Sequence, residues 1–135
     1  MKKILLTIAV FACTLFFAQK SENYLSVGYA SVCCGPPSDK PVRDFLSRFK
    51  SKNKLKNLEI YKQTGLGREG EYNLYIGTDF LSRTQKAGLI KGLKGAVETQ
   101  NRARTKDSDG MVNFNEEKVV KKTDLSRARN LTPIK

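Results

Sequence analysis

The sequence predicts an α+β fold, in which a small antiparallel sheet of three to four strands carries two helices on one face. Three short segments alternate apolar and polar residues, as half-buried strands do. Two longer segments repeat apolar residues at helical spacing, and the elements follow the order β-α-β-β-α. The length of 135 residues suits one domain.

The first strand is predicted over residues 23–32, where aromatic and β-branched residues alternate with small or polar ones. It ends at residues 33–37 (CCGPP), because consecutive prolines cannot donate hydrogen bonds to a ladder. A helix over 40–52 follows, with Ser38 or Asp39 as its cap. Its apolar stripe consists of Val42, Phe45, Leu46 and Phe49.

Two more strands and a second helix complete the predicted core. The strands are expected at 58–61 and 72–76, joined by the glycine-rich segment 64–70, which suits a turn. Ser82 and Gln85 have the spacing of a capping box and mark the start of the second helix. The apolar stripe of that helix is predicted to be Ala87, Ile90, Leu93 and Val97.

The chain divides into three predicted regions. Residues 1–18 are expected to be a signal peptide, residues 19–97 the α+β core domain, and residues 98–135 a polar, basic C-terminal segment that is partly mobile. Within the last region, residues 111–114 have the pattern of a fourth strand.

The N-terminus has the features of an export signal. Two lysines precede an apolar run from Ile4 to Phe17, and Ala18 is small enough to mark a cleavage site. The run is shorter than the ~20 residues of a spanning helix, so the mature chain is expected to have no transmembrane helix. The predicted location is therefore periplasmic or secreted. Val10-Phe11-Ala12-Cys13 resembles a lipobox, which gives lipid attachment at Cys13 as a less favoured alternative.

Composition narrows the possible chemistry. The chain has no histidine, so it cannot form a Ser-His-Asp triad, a Cys-His pair or a zinc site of the usual Cys/His type. We therefore expect a protein that is not an enzyme. The 25 Lys and Arg against 13 Asp and Glu give a net charge of +12, which favours an anionic partner.

A cation stands at every second position from 48 to 56: Arg48, Lys50, Lys52, Lys54 and Lys56. Cations near a helix C-terminus interact favourably with its dipole, so a solvated helix end explains part of this run. Five cations exceed what the dipole needs. The main hypothesis is thus an exported, non-enzymatic module whose basic face binds an anionic cell-envelope polymer or lipid headgroups. Export argues against nucleic acid as the physiological partner, and the oligomeric state stays open.

Cys33 and Cys34 support a second hypothesis, a thiol redox or soft-metal protein. An exported protein meets an oxidising compartment, and adjacent cysteines close only a small, strained ring. Their place before a helix N-terminus favours thiolate. Three interpretations stay open: a vicinal disulfide, intermolecular pairing or capture of a soft metal such as Cu(I), and two small buried thiols that fill space.

Residues 105–116 resemble an EF-hand or dockerin-like calcium loop, which carries oxygen ligands at positions 1, 3, 5, 9 and 12 and Gly at position 6. Gly110 falls on position 6, but Thr105 replaces the usual Asp at position 1. The ligands implied by the resemblance are Asp107, Asp109, Asn113 and Glu116. This gives a third hypothesis, a weak calcium-binding module, with calcium as the one cofactor considered. The alternative is a polar turn leading into an edge strand.

The order of elements over residues 23–97 resembles the SPOR domains of bacterial envelope proteins. The shared features are Val27-Gly28 in the first strand, Tyr75-Ile76-Gly77 before a helix that starts at Ser82, and Ala87 within that helix. SPOR domains are small ferredoxin-like modules that bind peptidoglycan glycans, so the resemblance implies that fold and an envelope location.

Overall fold

Five strands form one antiparallel sheet in the computed structural model, which describes residues 20–107 and 109–135. The predicted signal peptide, including Cys13, lies outside these residues. Among the described helices, none is long and apolar enough to cross a membrane. The elements are β1 (Asn23–Ala30), α1 (Lys40–Lys52), β2 (Ile60–Gln63), β3 (Tyr72–Gly77), α2 (Arg83–Arg102), β4 (Met111–Lys121), α3 (Lys122–Ser126) and β5 (Leu131–Ile134).

The predicted fold class is confirmed in its main features, whereas the predicted number of strands is too low. The sheet has the order β4-β1-β3-β2-β5, so the first four strands and the two long helices form a split β-α-β arrangement. Residues 98–135, which we expected to be separate from the core and partly mobile, supply both edge strands. The fourth strand begins where predicted, at Met111, but continues to Lys121.

Helices α1 and α2 pack on the same face of the sheet, as predicted. Helix α1 buries Val42, Leu46 and Phe49, which belong to the stripe read from the sequence. Helix α2 instead buries a row four residues apart, Leu89, Leu93 and Val97, and it leaves Ala87 exposed. These side chains meet the inward-facing residues of the central strands: Leu25, Val27, Leu74 and Ile76.

The start of α2 is a complete capping box. The Ser82 hydroxyl accepts a hydrogen bond from the Gln85 backbone N–H at 3.1 Å, and the Gln85 side chain accepts one from the Ser82 N–H at 2.9 Å.

The Gly92 backbone lies against the Phe45 ring of α1, and a Cβ at position 92 would overlap that ring. The glycine therefore permits close contact between α1 and α2.

A smaller cluster covers part of the opposite face of the sheet. The short helix α3 places Leu125 against Tyr24 and Tyr75, and all three side chains are buried. Tyr61, Val120 and Leu131 pack around this cluster and are partly buried.

The sheet is wider than its helical layer. A helix with its side chains is about 10 Å across and strands lie about 4.8 Å apart, so two helices cover about four strands. Strand β5 is the fifth, and it extends the sheet beyond β2, with Ile134 opposite Ile60. A groove follows from this mismatch, between α1 and the inward side of β2 and β5.

Candidate functional site

The predicted basic face is an exposed surface at the C-terminal end of α1. Three of its cations lie in the last turns of the helix and two in the loop that follows. All five side chains are exposed, and none forms an ion pair with another described residue. The basic face consists of Arg48, Lys50, Lys52, Lys54 and Lys56.

The end of α1 holds the basic face in a fixed turn. The Leu55 N–H donates to the Lys50 carbonyl at 3.0 Å, and the Lys54 N–H donates to the Ser51 carbonyl at 3.2 Å. This is the Schellman ending, in which the residue after the cap adopts left-handed backbone angles and glycine is preferred. That residue here is Lys54, with φ of 51°. A non-glycine residue in this region costs about 1 kcal/mol, so a cation stands where stability alone favours glycine.

The groove beside α1 has a volume of about 830 Å³ and adjoins the basic face through Lys50, which lines both. Its floor is apolar and combines residues of α1, the following loop and strands β2 and β5. The floor residues are Leu46, Leu58, Ile60 and Ile134. The sequence did not indicate this groove, because its far wall is β5, which was not predicted.

The two carboxylates that line the groove are already paired. Asp39 accepts a hydrogen bond from Lys62 Nζ at 3.0 Å and has Arg43 at 3.9 Å. Asp44 pairs with Lys40 at 2.6 Å, and this hydrogen bond lowers the pKa of the Asp44 carboxyl. The Asp39 side chain makes no capping hydrogen bond at the start of α1, since it is turned toward Lys62.

Cys33 and Cys34 lie in the loop between β1 and α1, and both side chains are exposed. The expectation of buried thiols that fill space is therefore wrong. Their Sγ atoms are 2.6 Å apart, with the Cys34 thiol donating. The hydrogen bond to Cys33 raises the pKa of Cys34, and the carboxylates of Glu69 and Asp109 add to this effect. Thiolate formation at Cys34 is thus disfavoured, contrary to the helix-dipole expectation.

The thiol pair stands at the edge of a second cleft, of about 540 Å³, which Cys34 lines together with Arg104 and Lys106. Hydrogen bonds hold the thiol loop to the neighbouring hairpin. The Ser31 hydroxyl accepts from the Gly35 N–H at 3.0 Å and donates to Glu69 at 2.7 Å.

Of the four predicted calcium ligands, Asp107 and Asp109 precede β4, whereas Asn113 and Glu116 lie within that strand. Asn113 and Glu116 lie in the extended strand β4, and Glu116 pairs with Lys94 on α2. Asp109 accepts hydrogen bonds from the Thr105 and Lys106 N–H groups, and these bonds lower the pKa of its carboxyl. Among the residues that the structure describes, no three acidic or cysteine side chains form a group that could hold a metal ion. Residues 111–121 form an edge strand, as the alternative expected, and calcium binding stays a prediction.

Comparison with protein-family models, curated proteins and solved structures found no significant match to the chain. The resemblances to SPOR domains and to calcium loops are therefore likenesses of element order and residue spacing. The exposed residues of the molecule itself are therefore the basis for proposing a function.

Proposed function

We propose that the protein is an exported, non-enzymatic binding module whose basic face binds an anionic component of the cell envelope. The observation that carries the proposal is the exposure of five cations at one helix end, all without an ion-pair partner among the described residues. The net charge of +12, which becomes +10 when Lys2 and Lys3 are removed with the predicted signal peptide, adds a long-range attraction to polyanions.

The expected affinity follows from the number of cations that reach the anionic surface. Each lysine or arginine near an anionic membrane contributes about 1 kcal/mol, and the contribution falls with ionic strength. Loss of three cations is therefore expected to weaken binding by about a hundredfold, since each 1.4 kcal/mol corresponds to a factor of ten.

The test uses the chain from Gln19 and vesicles of equal parts phosphatidylglycerol and phosphatidylcholine. Binding is measured by co-sedimentation, at ionic strengths between about 0.01 M and about 1 M. The test variant changes Arg48, Lys52 and Lys56 to glutamine. It keeps Lys50, which also lines the groove, and Lys54, whose left-handed backbone would confound stability with charge.

The control variant changes Lys118, Arg127 and Arg129 to glutamine. These three side chains are also exposed and form no ion pair with a described residue, so the control loses the same charge at a different place. We expect the test variant to lose binding and the control to keep most of it. Equal losses in both would show that net charge alone acts, and salt-independent binding would overturn the proposal.

A second candidate function, thiol exchange, is favoured by the exposure and contact of Cys33 and Cys34. The reaction with a disulfide such as oxidised glutathione would form the Cys33–Cys34 disulfide and release two glutathione thiols, so that the protein loses two hydrogens. Intact mass spectrometry measures this directly. The Cys34→Ser variant should instead retain one glutathione as a mixed disulfide on Cys33. If the unaltered protein also retains glutathione, the pair does not close and this candidate fails.

A further inference from the structure

We propose that the groove between α1 and strands β2 and β5 binds a long-chain carboxylate, an amphiphile of the fatty-acid class, with its chain on the apolar floor and its carboxylate at Lys50. The inference rests on the proposed function, because it assigns the anionic ligand to a place that adjoins the basic face.

The floor of the groove offers an apolar surface to an alkyl chain. Leu58, Ile60 and Ile134 are only partly buried, although they pack against the main core. They belong to a loop and two adjacent strands, so they form a continuous apolar strip beyond the edge of α1. Covering this strip with an alkyl chain removes apolar surface from water, which is favourable in proportion to the area covered.

The charged residues around the apolar strip favour an anionic headgroup. The two acidic residues that line the groove, Asp39 and Asp44, are both paired with cations. Lys50 lines the groove without an acidic partner among the described residues, and Lys40 and Arg43 line it as well. The groove therefore has an excess of positive charge, which complements one carboxylate.

The helix places a polar group beside that charge. Ser47 and Lys50 are three residues apart on α1, so they are neighbours on the helix side that lines the groove. Asn57 lines the same groove from the loop after the helix. A hydroxyl, an amide and an ammonium together can donate several hydrogen bonds to a carboxylate.

The dimensions of the groove suit a small amphiphile. Its volume of about 830 Å³ lies within the range of pockets that hold small molecules, about 300–1,000 Å³. It lies between helix α1 and strand β5, which is at the edge of the sheet.

The test is a titration with tetradecanoate, below the concentration at which it forms micelles, followed by NMR of isoleucine methyl groups. The methyls of Ile60 and Ile134 should shift and saturate. The methyls of Ile90, on helix α2 and outside the groove lining, should not shift, and those of Ile76, which lies opposite Ile60 in the sheet, should shift less than those of Ile60. Shifts of all four to the same extent, or of none, would overturn the proposal.

Two substitutions test the contributions of the alkyl chain and of the carboxylate to binding separately. Ile134→Ser should weaken tetradecanoate binding about tenfold by removing part of the floor, and Lys50→Gln should weaken it by a similar factor. Lys91→Gln is the matched control, because Lys91 is an exposed cation on α2 away from the groove lining. Tetradecyl maltoside, which has the same chain without the charge, should bind more weakly than tetradecanoate. Equal affinities for the two would overturn the assignment of the carboxylate to Lys50.

Failure of the groove proposal can be distinguished from failure of the basic-face proposal. Ile134→Ser should leave vesicle binding unchanged, because it alters no charge. If this variant binds tetradecanoate as the unaltered protein does, the groove is overturned while the vesicle result stands. If the variant altered at Arg48, Lys52 and Lys56 binds vesicles normally, the basic face is overturned, and the isoleucine shifts decide the groove independently.

Discussion

Two stacked tyrosines in the core differ in what their hydroxyl groups contact. The rings of Tyr29 and Tyr72 lie 4.5 Å apart at an angle of 13°. The Tyr72 hydroxyl donates a hydrogen bond to the Pro37 carbonyl at 2.6 Å. The Tyr29 hydroxyl is buried without a hydrogen-bond partner among the described residues. Burial raises the pKa of both phenols, so neither is charged near neutral pH.

We expect opposite effects when each hydroxyl is removed. Tyr29→Phe should raise the free energy of unfolding by about 1 kcal/mol, because an unsatisfied buried hydroxyl is lost. Tyr72→Phe should lower it by about 1 kcal/mol, because a hydrogen bond is lost and the Pro37 carbonyl loses its partner. Urea denaturation measures both. Similar destabilisation by the two substitutions would show that Tyr29 has a partner after all.

Asp79, which lies two residues after the end of β3, holds the start of β1 in place. Its carboxylate accepts hydrogen bonds from the backbone N–H of Asn23 at 2.9 Å and from the Asn23 side chain at 2.8 Å, and it also contacts the Glu22 N–H. Partial burial raises the pKa of this carboxyl, but the hydrogen bonds outweigh burial and lower it overall. The folded state therefore holds the carboxylate in its charged form.

The sign of the pH dependence follows from that lowered pKa. A carboxyl with a lower pKa in the folded state adds stability above its unfolded pKa, about 3.9, and this stability is lost as the pH falls through the folded value. Asp79→Asn should thus cost about 1 kcal/mol at neutral pH, a modest figure because the group is largely exposed. The difference from the unaltered protein should shrink in acid. A difference that stays constant from neutral to acidic pH would contradict this account.

At the level of the element, the glycines of α2 give a matched pair. A Cβ at position 92 would overlap the Phe45 ring, whereas a Cβ at position 95 would have no neighbour within 4 Å. Gly95→Ala should raise the free energy of unfolding by up to about 1 kcal/mol through helix propensity. Gly92→Ala should lower it by about 1–2 kcal/mol, because overpacking exceeds that gain. Thermal unfolding tests both, and stabilisation by Gly92→Ala would contradict the tight contact of the helices.

Elements with strong periodicity could be predicted from the sequence, and elements at the sheet edges could not. Helix α1 and strands β1 and β3 place regularly spaced apolar residues in the main core, so their patterns were sufficient, although Tyr24 and Tyr75 are buried on the opposite face as well. Strand β4 is an edge strand with mostly exposed residues, and beyond its first residues it has no alternating pattern. Strand β5 has four residues, including Pro133, and it forms by pairing with β2, a contact that no local pattern encodes.

At the level of the whole molecule, the two candidate sites differ in how many of their residues could be predicted from the sequence. The basic face is contiguous in the chain, so spacing alone predicted its residues, and the structure shows that they are exposed. The groove joins Lys50 and Leu58 to Ile134, which are far apart in sequence and meet only through the sheet order. A site of that kind needs the topology before its residues can be grouped.

The position of the two edge strands also bears on how the chain reaches its native state. Strands β4 and β5 both come from residues 111–135, yet they flank β1 and β2, which precede them in the chain. Until this last stretch is available, a partly synthesised chain carries two strands with unpaired backbone groups. Such strands can pair with another copy of the chain and start aggregation. Pairing of β4 with β1 and of β5 with β2 therefore satisfies both of these strands within one molecule.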